Sequence, residues 1–163
     1  MNEDREIKNY EKLAERAKQV FENSKEKSGA WIDEALEKAA DQLEEAGEFT
    51  KQEGNRAREF LRNDLEATKH DFEQASKATK AALDPSRAGV GFAELASHLF
   101  DSLGDTFKKW AARSEESLSF RTGQITGPGT LTCRACGTEL HLDDTSRIPP
   151  CPKCHKTDYR KSY

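Results

Sequence analysis

The sequence predicts a mainly α chain: a long, coiled-coil-like antiparallel helical hairpin over residues 4–83, a third helix over 92–113, and a small C-terminal β module over 130–163. Three observations carry that expectation. Apolar residues recur at three- and four-residue steps through most of the first 113 positions, the signature of one helix face turned to a core. Gly123, Gly127, Pro128 and Gly129 then break the pattern within a connector spanning 114–129. All four cysteines lie beyond that point, as Cys133-x-x-Cys136 and Cys151-x-x-Cys154.

In chain order, residues 4–46 read as helix. Ile7, Tyr10, Leu13, Ala17, Val20 and Phe21 share a face, and Trp31, Ile32, Leu36, Ala39 and Leu43 resume it. Ser28-Gly29 between them marks a break or bend, because neither residue favours helix. Gly47 is placed to end the helix in the left-handed region. Thr50 and Glu53 have the spacing of a capping box, in which each side chain satisfies an orphan amide of the other. The stripe then runs through Phe60, Leu61, Leu65 and Phe72 to Leu83. Asp84-Pro85 stops it, since proline disfavours helix at the preceding residue. The short 47–49 link calls for an antiparallel hairpin. Its many alanines predict a narrow seam, for which self-association or the third helix supplies further cover. Phe92, Leu95, Leu99, Leu103, Phe107 and Trp110 mark that third helix. His70 and His98 read as surface residues. The many aspartates and glutamates read as solvated helix faces. A short strand is expected near 120–125 within the connector.

The cysteine spacing points to a metal. Two residues between paired cysteines let a tight turn aim both thiolates at one point, and two such pairs complete the four soft ligands of tetrahedral zinc. Fourteen residues separate the pairs, room for one hairpin. Gly137 follows the first pair, where the turn requires positive φ. His155 holds the matching place in the second pair, and histidine is among the few non-glycine types enriched there. Strands are expected at 130–133, 138–142 and 158–161, making a three-stranded zinc ribbon that holds one structural zinc through Cys133, Cys136, Cys151 and Cys154. The competing readings are a disulfide pair, a redox dithiol and a catalytic zinc. Four cysteines close the shell against water, and no βαβ unit of thioredoxin type is visible. His155 is a substitute fourth ligand in a minor alternative, and His141 reads as an ordinary strand residue.

The net charge is −4 and a third of the residues are charged. From Gly129 onward six basic residues face four acidic ones, giving +2 and leaving −6 for the rest. Zinc with four thiolates adds about −2, so the loaded ribbon is near neutral and a strong electrostatic footprint for nucleic acid is absent. No run approaches the ~18 apolar residues of a bilayer span, and the N-terminus has no apolar signal core. These features, with thiols kept for metal, predict a soluble, cytoplasmic protein. The sequence contains no nucleophile–base constellation, and the Gly89-Val90-Gly91 stretch lacks the rest of a phosphate loop.

The layout resembles the YbeL-like bacterial zinc-ribbon proteins, a family of unknown function. The resemblance lies in the Arg62-Asn63-Asp64-Leu65 step on the long helix, the glycine-rich approach to Cys133, Cys136 and Gly137, the Pro149-Pro150-Cys151-Pro152-Lys153-Cys154 knuckle, and the Tyr159-Arg160 ending. It covers nearly the whole chain, and only the ribbon motifs are specific. It implies zinc binding and a bacterial cytoplasmic setting, and it brings no activity. The chain departs from the pattern at His155, where the family would have glycine.

Two functions are weighed. The first is a non-enzymatic adaptor that binds a protein partner or a second copy through its helices. The second is nucleic-acid binding by a basic and aromatic ribbon face comprising Lys153, Lys156, Tyr159, Arg160 and Lys161. Loss of the metal is expected to unfold the ribbon and to leave most helix content, because metal binding and folding are coupled locally.

Overall fold

The computed structural model describes residues 3–24, 29–74 and 119–162. Three helices, α1 (Glu3–Glu22), α2 (Gly29–Glu45) and α3 (Lys51–Gln74), pack on one another. The helical stretch expected over 4–46, with a break or bend at Ser28-Gly29, is two helices. The chain leaves α1 at Asn23, whose side-chain amide donates to the Gln19 carbonyl at 2.9 Å. Folding back lets both halves of the stripe bury against α3, so Tyr10, Leu13, Ile32, Leu36, Leu61 and Leu65 meet in one core. A two-helix hairpin would leave part of each stripe in water, and that cost favours the three-helix arrangement. The expected helix over 92–113 and the end of the hairpin beyond Gln74 lie outside the described residues.

Of the expected hairpin, the structure describes the turn between α2 and α3. They run antiparallel, with Arg58 beside Glu37 at 3.4 Å and Arg62 beside Asp33 at 3.1 Å. Gly47 has φ of 72°. The Glu48 amide donates to the Leu43 carbonyl and the Gly47 amide to that of Glu44, both at 2.9 Å, which is the Schellman stop. The capping box also forms. The Thr50 amide donates to Glu53 Oε2 at 2.8 Å, and the Glu53 amide donates to Thr50 Oγ1 at 3.3 Å. The Thr50 backbone N–H, above all, holds the Glu53 carboxyl below its usual range. That stabilisation is present above the pKa of an unfolded glutamate and is lost as pH falls through the lower folded value. Thr50→Ala is expected to cost about 1 kcal/mol, read as a fall of roughly 3 °C in the melting midpoint.

The β part is larger than a three-stranded ribbon. β1 (Phe120–Arg121), β3 (Gly129–Cys133), β4 (Glu139–Leu142) and β6 (Asp158–Ser162) form one antiparallel sheet in the order β1-β6-β3-β4. β2 (Ile125–Thr126) and β5 (Ser146–Arg147) pair as a separate two-stranded ribbon. Within the expected connector two short strands form where one was expected near 120–125, and Phe120 gains cover opposite Tyr159. The described residues hold three helices and six strands, so this part of the chain is mixed α and β where a mainly α chain was expected.

The β part sits directly on the helices. α3 packs on β2 and β6, and α1 on β2 and β5. The two cores interlock. Ile125 of β2 is buried in the helical cluster, while Ala67 of α3 is buried in the ribbon cluster with Leu131, Ile148 and Tyr159. Arg147 pairs with Glu6, and the Thr145 hydroxyl donates to Glu11, both across the same junction.

Candidate metal centre

Two knuckles of matching backbone geometry carry the four cysteines. In the first, the Gly137 amide donates to the Cys133 carbonyl at 2.9 Å and the Cys133 amide donates to the Thr138 carbonyl at 2.9 Å. In the second, the His155 amide donates to the Cys151 carbonyl at 2.9 Å and the Cys151 amide donates to the Lys156 carbonyl at 3.0 Å. Gly137 and His155, at φ of 71° and 57°, occupy the same left-handed corner, as the sequence comparison of the two pairs predicts. His155 bears that conformation without the relief that glycine has. His155→Gly is therefore expected to retain zinc and raise the melting midpoint slightly. His155→Val, β-branched at a left-handed position, is expected to lower it.

The four Sγ atoms lie within 4.8 Å of one another. Cys133 to Cys154 and Cys136 to Cys151 are each 3.6 Å apart. A zinc–sulfur distance of about 2.3 Å sets a tetrahedral edge of about 3.8 Å, which these separations fit. A disulfide needs about 2.05 Å, and all four cysteines are free. Cys133 and Cys151 are buried, and Cys136 and Cys154 half-buried. The Cys136 thiol is pushed down to about 6, first by the Thr138 hydroxyl and then by the Thr138 backbone. Cys154 accepts the Lys156 backbone N–H, which lowers it. Its neighbour Cys136, burial, and Cys133 and Cys151 outweigh that and push it up to about 12. Four thiolates this close repel one another, and a dication among them removes the conflict.

A family model described as "Zinc-ribbon containing domain" matches residues 19–162. The chain belongs to that zinc-ribbon family. No curated protein and no solved structure matches it. Family and geometry together assign one structural zinc to Cys133, Cys136, Cys151 and Cys154. The ribbon's fold around the metal is short on core: among the described residues its buried cluster has seven members, two of them ligands. Metal binding here is consequently a large part of folding.

The other sequence candidates divide. Lys153, Lys156 and Arg160 are exposed. Tyr159 and Lys161 are buried and are not surface contact residues, which corrects the expected basic and aromatic face. Tyr159 donates its hydroxyl to the Pro149 carbonyl at 2.9 Å and so pins β6 to the second knuckle. Burial pushes its phenol up, with the nearby cysteines adding to the effect. Lys161 meets Asp64 at 2.7 Å with both side chains wholly buried. His141 is an exposed strand residue, with Nδ1 2.8 Å from Thr130 Oγ1.

Asp64 and Glu66 are buried, exceptions to the reading of the many carboxylates as solvated helix faces. A signal was present. Position 64 falls three after Leu61 and beside Leu65, on the apolar face of α3. No helix among the described residues is long and apolar enough to cross a membrane.

Proposed function

We propose that this zinc-ribbon family member is a non-enzymatic, cytoplasmic bacterial adaptor, bound to a protein partner or a second copy through its helices. The observation that carries this reading is the closed donor set. Four thiolates fill the coordination sphere of zinc and leave no position at which the metal could present water or substrate. The finer likeness to the YbeL-like proteins, through the Pro149–Cys154 knuckle and the Tyr159-Arg160 ending, agrees with a structural zinc. The test is capture from nuclease-treated bacterial lysate by the intact chain, alongside a variant with outward charges of α2 and α3 reversed (Glu37→Lys, Arg58→Glu). A partner or second copy that survives nuclease and is lost in the variant supports the reading. A turnover activity abolished by a point change away from the ribbon would overturn it.

A second reading, nucleic-acid binding, draws on exposed Lys153, Lys156 and Arg160 on and beside the second knuckle. It is weakened because the stacking ring of Tyr159 and the charge of Lys161 face inward. If it holds, single-stranded oligonucleotide binding measured by anisotropy falls steeply with salt and is lost in the Lys153→Glu, Lys156→Glu, Arg160→Glu variant. No binding at low salt would remove it.

A further inference from the structure

The junction between ribbon and helices contains a fully satisfied buried ion pair. The Lys161 ammonium donates to Asp64 Oδ1 at 2.7 Å, to Thr126 Oγ1 at 2.6 Å and to the Gly127 carbonyl at 2.7 Å. These use all three of its N–H groups. Asp64 accepts in turn from the Tyr10 hydroxyl at 2.5 Å, the Thr126 hydroxyl at 2.5 Å and the Gly127 amide at 2.7 Å. The Phe120 ring closes over the ammonium, 5.7 Å from its centroid. Residues from α1, α3, β1, the β2 segment and β6 thus converge on two charges with no exposed surface. Such a pair offsets its desolvation only while every partner is in place. Displacing any one partner strands these charges in a site with no exposed surface.

What holds Lys161 in position leads back to the cysteines. β6 follows the second knuckle and pairs with β3, which ends in the first knuckle, with Cys133 opposite Tyr159 and Leu131 opposite Lys161. The knuckles are tied directly to β6 by the Arg134 amide, which donates to the Asp158 carbonyl at 3.0 Å, and by the Tyr159–Pro149 bond. The small cluster behind β6 counts Cys133 and Cys151 among its members. Taking away the metal therefore removes the centre of the structure that aims Lys161 at Asp64.

We propose that Lys161–Asp64 is a metal-dependent latch. With the four thiolates holding zinc, the ribbon is locked on α1 and α3. Without it, β6 lets go, both charges pass to water, and the face bearing Tyr10 and Asp64 is uncovered. The helical core, which among the described residues has eighteen buried members with Ile125 alone from the β part, remains assembled. The latch is independent of which partner the protein serves. Coupling of this kind is reciprocal, so a change at Asp64, which touches no cysteine, weakens zinc binding.

Amide hydrogen exchange on the intact chain, zinc-loaded and after chelation, tests this without any variant. Chelation is expected to raise exchange across Leu61–Ala67 of α3 as well as in the ribbon, while α2 stays protected. Exchange confined to residues 119–162, with Leu61–Ala67 as protected as before, overturns the latch. A chelator competition supplies a second readout. Asp64→Asn and Lys161→Met, with all four cysteines present, are each expected to weaken zinc affinity between about 5-fold and 150-fold. Unchanged affinity in both overturns it. Should either variant fail to fold, exchange on the native chain decides alone.

Discussion

Cys151→Ser is expected to abolish stoichiometric zinc and to unfold the ribbon while leaving the helices assembled. Cys151 is wholly buried, carries the backbone hinge of the second knuckle and lies 3.6 Å from Cys136. Serine offers a harder, less acidic donor in the same place, and the loss of one of four ligands is expected to weaken zinc by at least ~100-fold, beyond what outer-sphere changes cost. Structural zinc contributes on the order of 10 kcal/mol in small domains, far more than a seven-residue buried cluster can replace. Metal analysis should fall from one zinc per chain to none. Amide protection should vanish from 130–160, and the far-ultraviolet helical signal should persist because its core draws one residue from the β part. Loss of the helical signal together with the metal would show that the bundle depends on the ribbon. Full zinc in the variant would show that three cysteines and another donor suffice.

Asp64→Ala is the second large effect, and it is a destabilisation rather than a loss of ligand. The substitution strands the Lys161 ammonium in a site with no exposed surface and leaves the hydroxyls of Tyr10 and Thr126 and the Gly127 amide short of an acceptor. Breaking a buried pair on one side costs about 3–5 kcal/mol. For a chain of this length that corresponds to a fall of roughly 10 °C in the melting midpoint of the zinc-loaded protein. The double change Asp64→Leu with Lys161→Met removes both charges and is expected to recover much of the loss, since the penalty belongs to the unpaired charge. A single variant that melts with the native protein would mean that water reaches the site. A double variant no better than the single would place the cost in packing.

The two classes of result differ in how legible they were in the sequence. The metal centre was legible almost completely. Cys-x-x-Cys pairs set thiolate geometry through local turns, and Gly137 and His155 declare the left-handed corner by residue type. The Gly47 stop and the Thr50–Glu53 box were legible for the same reason, as each is decided within about five residues. The strands expected at 130–133, 138–142 and 158–161 are found at Gly129–Cys133, Glu139–Leu142 and Asp158–Ser162.

Less visible was everything that required two distant segments to meet. Periodicity along 4–46 is equally satisfied by one long helix or by two that fold back, and only the shared core of Tyr10, Ile32 and Leu61 selects the second. One short strand near 120–125 is all the connector suggests, and only Tyr159 and the helical core, as neighbours of Phe120 and Ile125, make it two. Tyr159 and Lys161 have the chemistry of a nucleic-acid face, and burial turned both into internal ties.

By itself, then, the sequence determined the zinc ligands, the knuckle turns and the helix ends, because those depend on residue type and short spacing. Tertiary structure alone decided that Asp64 faces Lys161, that Ala67 and Ile125 trade cores, and that the ribbon is docked rather than tethered. The reason is physical. A charged side chain is stable in water or in a buried, fully paired site, and only the arrangement of distant segments determines which of the two it finds.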